Sequence, residues 1–224
     1  MKSGLIQYFN KEAGQWDSKY KRSYFFKGRY DQIRLYLSRY QNDFPISLDY
    51  GCGSGMLTEL LAKHSDAVIG TDASEKMLAI CKEKFKGKDK IQIQSIEESV
   101  TKKYDFILCS SVIEYIENDM ELINDLVSYL KDNGILFITF PNRFGIVQLL
   151  NRYILQRIRM SKYVNYQKHV YTLSTIKKEV SLIKNIRVLD AKHFIGIPII
   201  KYYGFSELML LVLQNKNFHL RNGR

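Results

Sequence analysis

SLDYGCGSGMLTEL, residues 47–60, carries the clearest structural signal in this chain. A short apolar run leads into glycines at positions 51, 53 and 55, and a helix-like segment follows them. Glycine adopts positive φ readily and lets the backbone come close to a ligand. A strand, a glycine turn and a helix in this order indicate a nucleotide site, although several unrelated chemistries use such a turn.

Strand-like and helix-like segments alternate on both sides of this turn. Strands are predicted at 45–50, 67–72, 90–96, 104–111, 135–140, 186–195 and 208–216. Helices are predicted at 5–17, 28–41, 56–64, 75–85 with Ser74 as N-cap, 119–130 closed by Asn133-Gly134, and 172–183. The alternation predicts an α/β fold whose doubly wound, mostly parallel seven-stranded sheet is covered on both faces.

Length and composition favour a single domain over residues 1–224, because 46% hydrophobic content in 224 residues supplies one substantial core. Within it we expect an N-terminal helical cap (1–42), a ligand-binding core (45–141), an inserted basic helical lid after the fifth strand (142–171) and the last part of the sheet (172–224).

The charge balance suggests an anionic partner. The chain has 34 Lys and Arg against 23 Asp and Glu, a net charge of +11, and no acidic residue lies between Asp132 and Glu179. Residues 146–160, IVQLLNRYILQRIRM, have the spacing of a basic amphipathic helix. Two interpretations stay open for this segment: a lid packed on its own domain, or a peripheral contact with an anionic membrane.

Cysteine usage and the N-terminus predict a cytoplasmic protein. Peripheral attachment to the membrane is the alternative location. The three cysteines, Cys52, Cys81 and Cys109, contain no CxxC pair, so we expect neither disulfides nor a metal site. The N-terminus lacks the apolar core of a signal peptide, and no apolar run is long enough to span a membrane.

The identity of the nucleotide is not decided by the turn alone. The pattern is GxGxG followed by Met56, which is neither GxGxxG nor a P-loop ending in GK[ST]. Asp72 ends the second predicted strand, where a carboxylate can accept hydrogen bonds from both ribose hydroxyls. NAD and S-adenosylmethionine sites share that requirement, so both remain open at this point.

Four separated segments together resemble the class I S-adenosylmethionine-dependent methyltransferases. They are LDYGCGSG, VIGTDASEKML, YDFILCSSVIEYI and GILFITFPN, and they cover residues 45–141 in order. The resemblance implies a Rossmann-like methyltransferase fold, S-adenosyl-L-methionine as cofactor and methylation as the reaction.

The resemblance also implies a set of cofactor-binding residues. Asp49 and Ser110 would lie near the methionine moiety, Gly51, Cys52, Gly53 and Gly55 would form the turn that packs against it, Asp72 would hold the ribose, and Ala73, Met77, Ser95 and Ile96 would surround the adenine. For Ser95 and Ser110 an ordinary capping or loop serine is the competing interpretation.

A second, looser similarity is to the ubiquinone-biosynthesis O-methyltransferases. It rests on YFNKEAGQWD before the core and on FPNRFGIVQLLNRYIL, HVYTLSTI and HFIGIPII after it. That family has an acidic residue where Ser111 stands and a histidine where Tyr115 stands, so only Glu114 of its cluster is present. Metal-assisted deprotonation of a phenol is therefore not predicted, and the quinone substrate is not carried over.

Methyl transfer chiefly needs an aligned acceptor and a dry site, and a general base helps when the acceptor is a hydroxyl. His169 and Tyr115 are the predicted catalytic residues, with a structural histidine as the competing interpretation for His169. Tyr8, Phe9, Trp16 and Tyr20 are expected to cover the sulfonium, unless they only pack the cap onto the domain.

Three classes of function remain open. The first is a methyltransferase for a small-molecule or lipid-like acceptor, most plausibly acting on oxygen. The second is a nucleic-acid methyltransferase, suggested by the charge but not favoured, because the fourth strand leads into CSSVIEY and not into an NPPY-type segment. The third is a cofactor-binding partner subunit without catalysis. The oligomeric state is not predicted.

Overall fold

A computed structural model of the chain describes residues 3–40, 44–145, 148–149, 166–195 and 208–216. Its strands are β1 (Phe44–Tyr50), β2 (Ser65–Thr71), β3 (Ile91–Ile93), β4 (Tyr104–Cys109), β5 (Leu130–Pro141), β6 (Ile186–Ile195) and β7 (Leu208–Asn215). They form one seven-stranded sheet in the order β3-β2-β1-β4-β5-β7-β6. The first five strands run parallel, and β7 is antiparallel to both of its neighbours.

Helices precede the sheet and connect its strands. They are α1 (Ser3–Glu12), α2 (Trp16–Arg22), α3 (Tyr24–Leu37), α4 (Met56–Leu61), α5 (Glu75–Lys84), α6 (Ile96–Ser99), α7 (Asp119–Ser128) and α8 (Leu173–Val180), with 3₁₀ turns at Ala13–Gln15 and Ile113–Tyr115. None of the helices in the described part of the chain is long and apolar enough to cross a membrane. The predicted α/β architecture, with its mostly parallel sheet and N-terminal cap, is confirmed.

The central strand β4 is buried on both faces, as a parallel strand between helical layers must be. Its side chains alternate between two apolar clusters: Ile107 and Cys109 pack with α7 and α8, whereas Phe106 and Leu108 pack with α3 and α4. The helical layers therefore hold the carboxyl ends of β1, β2 and β4 at one edge of the sheet, where ligands bind in such folds.

Two local predictions were wrong. Asn133-Gly134 does not close a helix, because α7 ends at Ser128 and both residues lie inside β5. Asn133 has a φ of 63°, and the register of β5 against β4 shifts there, so the pair forms a bulge in the strand. The strand predicted at 90–96 is shorter, since Ser95 already caps α6.

The N-terminal cap is also divided differently from the prediction. The expected helix 5–17 is interrupted by the 3₁₀ turn Ala13–Gln15, and the expected helix 28–41 starts earlier, at Tyr24, and ends at Leu37. The predicted amphipathic segment 146–160 lies outside the described residues except at Gln148 and Leu149, and so does much of the predicted insertion 142–171.

Candidate functional site

A cavity of about 390 Å³ lies at the carboxyl edge of the sheet, beneath the N-terminal helices. The predicted site residues in its lining are Gly51, Cys52, Gly53, Asp72, Ala73, Met77, Ile96, Ser110 and Tyr115. The predicted aromatic residues in its lining are Phe9, Trp16 and Tyr20. Its size is that of a small-molecule or cofactor site.

The glycine turn requires glycine for two separate reasons. Gly51 and Gly55 both have a φ of 80°, a conformation that a side chain disfavours. A Cβ on Gly51 would lie 2.2 Å from Val112 Cγ2, and one on Gly55 would lie 2.4 Å from Phe85 Cε2. Gly55 is outside the cavity lining and acts as the N-cap of α4, so its role is to shape the turn.

Asp72 joins the glycine turn to the next helix. Its Oδ2 accepts a hydrogen bond from the Gly53 N–H at 2.9 Å, and its Oδ1 accepts one from the Ser74 N–H at 2.8 Å. Burial raises the pKa of the Asp72 carboxyl, and the backbone N–H groups of Ser74, Gly53 and Ala73 oppose that rise. The carboxylate therefore has a fixed orientation at the cavity wall.

Asp49 and Ser95 do not line the cavity. Asp49 is buried behind the turn and accepts a hydrogen bond from the Thr58 hydroxyl at 2.7 Å, while burial raises the pKa of its carboxyl to about 7. Ser95 forms a capping box with Glu98, which agrees with the structural interpretation of this serine. Ser110 does line the cavity and lies 3.4 Å from Thr139 Oγ1.

Arg29 is a cavity residue that the sequence analysis missed. Its guanidinium donates hydrogen bonds from Nη1 to Ser111 Oγ at 2.6 Å and from Nη2 to Tyr20 OH at 2.7 Å. The residue is 8% exposed and lines the cavity, and its Nε has no partner among the described residues. A signal was present in the sequence, because Arg29 lies four residues before the buried Ile33 on the apolar face of α3.

Glu114 is a second residue of the cavity lining that the sequence analysis did not assign to the site. It is 3% exposed, and its Oε2 has no hydrogen-bond partner in the described structure. Burial raises the pKa of the Glu114 carboxyl to about 7, and the charge of Arg29 acts in the opposite direction. Nearby Ser111 has a φ of 59°, a strained conformation of the kind found at functional sites. Within the described ranges, no group of three or more His, Cys, Asp and Glu side chains could hold a metal ion.

The two predicted catalytic residues are in different places. Tyr115 lines the cavity, and its ring packs edge-to-face on Phe9 with a centroid distance of 5.6 Å. His169 is not in the cavity lining. Its Nε2 lies 3.1 Å from the Glu117 carbonyl oxygen, and its Nδ1 lies 3.8 Å from Asp119 Oδ2.

Aromatic side chains from the cap cover the cavity. Phe9 meets Trp16 at a centroid distance of 5.5 Å, and Trp16 meets Phe26 at 5.6 Å. Tyr8 is behind this layer, in contact with Phe9 and Tyr166. The contacts agree with an aromatic cover, which excludes water and favours a bound cation.

A family model described as a methyltransferase domain matches residues 20–182. The chain belongs to this methyltransferase family. The match confirms the prediction of a class I S-adenosylmethionine-dependent methyltransferase domain, which the four sequence segments and the fold had indicated.

Curated relatives of the methyltransferase domain include the ubiquinone biosynthesis O-methyltransferases. The protein of that name from Coxiella burnetii is 33% identical over 101 residues, which is 43% of this chain and 43% of the relative. The one from Rickettsia canadensis is 34% identical over 107 residues, 46% of this chain and 45% of the relative. The chain therefore spans about half the length of the curated relatives it matches, or less.

Solved structures confirm the fold over nearly the whole chain. Magnesium protoporphyrin IX methyltransferase from Synechocystis, solved with S-adenosyl-L-homocysteine, has a TM-score of 0.73 at 17% identity and covers 96% of this chain and 100% of its own. The N-methyltransferase NodS from Bradyrhizobium japonicum was also solved with S-adenosyl-L-homocysteine. It has a TM-score of 0.68 at 17% identity, and the match covers 95% of this chain and 99% of NodS.

Proposed function

We propose that this protein transfers the methyl group of S-adenosylmethionine to an oxygen atom of a small-molecule or lipid-like acceptor bound in the cavity. The observation that carries the proposal is the position of Asp72, whose carboxylate is fixed against Gly53 at the wall of an aromatic-lined cavity. A carboxylate beside a glycine turn suits a ribose, and an aromatic wall suits a sulfonium.

The residues present fit the cofactor. We assign the ribose hydroxyls to Asp72, the adenine to the wall formed by Ala73, Met77 and Ile96, and the methionine carboxylate to the free Nε–H of Arg29. A buried guanidinium donor without a partner suits an incoming anion, because charge-assisted hydrogen bonds are strongest where water is excluded. Bound there, the cofactor supplies an electrophilic methyl group.

The acceptor site is assigned to the part of the cavity near Glu114 and Tyr115. Glu114 Oε2 is a buried acceptor without a hydrogen-bond partner among the described residues, so it can take a hydrogen bond from the hydroxyl of the acceptor molecule. A pKa of about 7 for this carboxyl allows it to hold or release a proton near neutral pH. Tyr115 remains the predicted neighbour of the acceptor, and His169 stays a prediction made from the sequence.

Oxygen as the acceptor atom is supported by the name of the curated relatives, whereas several structural neighbours, NodS among them, are named N-methyltransferases. The proposal favours oxygen because a carboxylate such as Glu114 is suited to a hydroxyl proton. A cytoplasmic location and a membrane contact through residues 146–160 stay predictions.

The proposal is tested in two steps on the full chain. Calorimetry with S-adenosylmethionine should give binding, and NADH should give none. Methyl-labelled cofactor is then incubated with the protein and a cell extract that is separated into small polar, lipid and RNA pools. Label in a small-molecule or lipid product whose new methyl group is located on an oxygen atom by mass spectrometry or NMR supports the proposal. Label in the RNA pool, or binding without any transfer, contradicts it.

A further inference from the structure

The bend between α2 and α3 exposes an aromatic pair. Tyr24 is 59% exposed and Phe25 is 37% exposed, and their ring centroids are 5.7 Å apart in an edge-to-face arrangement. The next residue, Phe26, points the other way and packs on Trp16 and Tyr20. Neither ring belongs to the buried core, and two adjacent exposed rings form a patch whose exposure needs another explanation.

Unpaired positive charges flank the two rings. No acidic residue occurs from position 18 to position 30, and Lys21, Arg22 and Lys27 are all exposed. None of these three cations forms an ion pair within the described part of the chain, whereas the neighbouring Lys19 is paired with Glu12 at 3.0 Å. The 21–27 segment therefore presents a positive rim around an apolar centre.

The 21–27 segment lies at the mouth of the cavity. Ser23 and Phe25 belong to the cavity lining, and Phe25 is exposed at the same time, so this ring spans the boundary between the cavity and solvent. Ser23 is in an extended conformation and separates α2 from α3, so the segment contains the break between these two helices.

We propose that the 21–27 segment docks the mouth of the cavity on an anionic lipid bilayer. The rings of Tyr24 and Phe25 would lie at the level of the headgroups, where aromatic side chains are favoured, and Lys21, Arg22 and Lys27 would contact lipid phosphates. The 21–27 segment is distinct in the sequence from the predicted segment 146–160, and its attraction to lipid does not depend on the proposed methyl transfer.

A bilayer fits this surface better than RNA does. The planes of Tyr24 and Phe25 are 79° apart, so the two rings do not form one continuous platform on which successive bases could stack. Rings packed in this way form a compact apolar wedge. The wedge also continues into an apolar cavity, which a headgroup layer can seal from water.

The test uses the full chain and sedimentation with vesicles of phosphatidylglycerol and phosphatidylcholine in equal parts, with pure phosphatidylcholine as reference. We expect binding to the anionic vesicles only, with a steep dependence on salt. Each cation near the surface contributes roughly fivefold to partitioning, so Lys21→Glu/Arg22→Glu should lower it by at least about 25-fold. The matched control is Lys177→Glu/Lys178→Glu, which makes the same charge change on exposed positions of α8.

Insertion of the rings is measured separately with Tyr24→Trp and vesicles that carry brominated acyl chains. We expect quenching of the added fluorescence, and none for Leu182→Trp, which places the same ring at a residue 78% exposed elsewhere. Tyr24→Ser should weaken vesicle binding and leave cofactor affinity unchanged, because Tyr24 does not line the cavity.

Three results would overturn the proposal: no sedimentation of the wild type with anionic vesicles, equal losses for the two charge-reversal variants, or an unquenched Tyr24→Trp. A salt-sensitive shift of tRNA that disappears in Lys21→Glu/Arg22→Glu, with no vesicle binding, would assign the surface to RNA. Cofactor binding by calorimetry is independent of all these outcomes, so the proposed function and this contact fail separately.

Discussion

The Arg29 guanidinium donates a hydrogen bond to the Ser111 hydroxyl at 2.6 Å, across 82 positions of the chain. The bond fixes the N-terminal cap to the loop after β4, at the wall of the cavity. The Nε–H of Arg29 has no partner in the part of the chain that the structure describes, and that donor gives the first prediction.

Arg29→Met should lower affinity for S-adenosylmethionine by roughly 1.5–3 kcal/mol, because it removes a charged hydrogen bond to the carboxylate. Calorimetry measures the loss. Decarboxylated S-adenosylmethionine should show almost no loss in the same variant, and Arg34→Met, at an exposed position of α3, should bind like the wild type. Equal losses for both ligands would mean that Arg29 only holds the cap.

Asp72→Ala should weaken cofactor binding by roughly 1–3 kcal/mol, since the ribose loses its acceptor and the turn loses the bonds to Gly53 and Ser74. Asp66→Ala, at an exposed position of β2, is the matched control and should bind normally. Wild-type affinity in Asp72→Ala, measured by calorimetry, would contradict the assignment of the ribose.

Alanine substitutions at three glycines should separate backbone strain from steric contact. Gly14 has ordinary φ and open space, so Gly14→Ala should be close to neutral. Gly87 has a φ of 77° and open space, so Gly87→Ala should cost about 1–2 kcal/mol of unfolding free energy. Gly55→Ala adds a clash with Phe85 and should cost roughly 1–3 kcal/mol more. Urea unfolding measures the series, and equal effects at Gly55 and Gly87 would refute the steric argument.

Glu114→Gln should change how stability depends on pH. Burial raises the pKa of this carboxyl from the usual range to about 7 in the folded state. The folded protein therefore binds more protons than the unfolded chain between these values, and this contribution to stability is lost as pH rises. Relative to Glu114→Gln, the wild type should lose roughly 2–3 kcal/mol between about pH 5 and pH 8.

Urea unfolding at both pH values checks the Glu114 prediction. Glu83→Gln, at an exposed position of α5, should leave the pH dependence of the wild type unaltered. Parallel stability curves for the wild type and Glu114→Gln would show that this carboxyl is not held in a dry environment.

Glu114 and His169 are the two candidates for the general base, and they lead to opposite predictions for the rate of methyl transfer. If Glu114 accepts the proton, Glu114→Gln should lower kcat by ~10²–10⁴-fold with little change in cofactor affinity, and His169→Gln should remain active. Tyr115→Phe should keep the ring contact with Phe9 and report on the hydroxyl alone. An active Glu114→Gln together with an inactive His169→Gln would instead identify His169 as the general base.

Much of the fold could be read from the sequence because its signals are local. Apolar runs next to glycine turns predicted the parallel strands, and the Ser74 cap of α5 is confirmed by the bond from the Met77 N–H. The prediction for Asn133-Gly134 was wrong because it also rested on a local signal alone. An Asn-Gly pair after a helix usually ends it, but here α7 has already ended, and the pair lies inside β5 at the shift in register between Leu130 and Ile135.

The residues of the candidate site also fall into two groups: those that local sequence signals predict and those that depend on tertiary packing. The strand, turn and helix around Gly51–Gly55 and the position of Asp72 could be predicted from the sequence, because short-range periodicity and glycine chemistry suffice for both. The contact of Arg29 with Ser111 and the burial of Glu114, without a hydrogen-bond partner among the described residues, became visible in the folded chain alone. Burial and unmet hydrogen bonds depend on which distant segments pack together, and no local pattern along the chain encodes that packing.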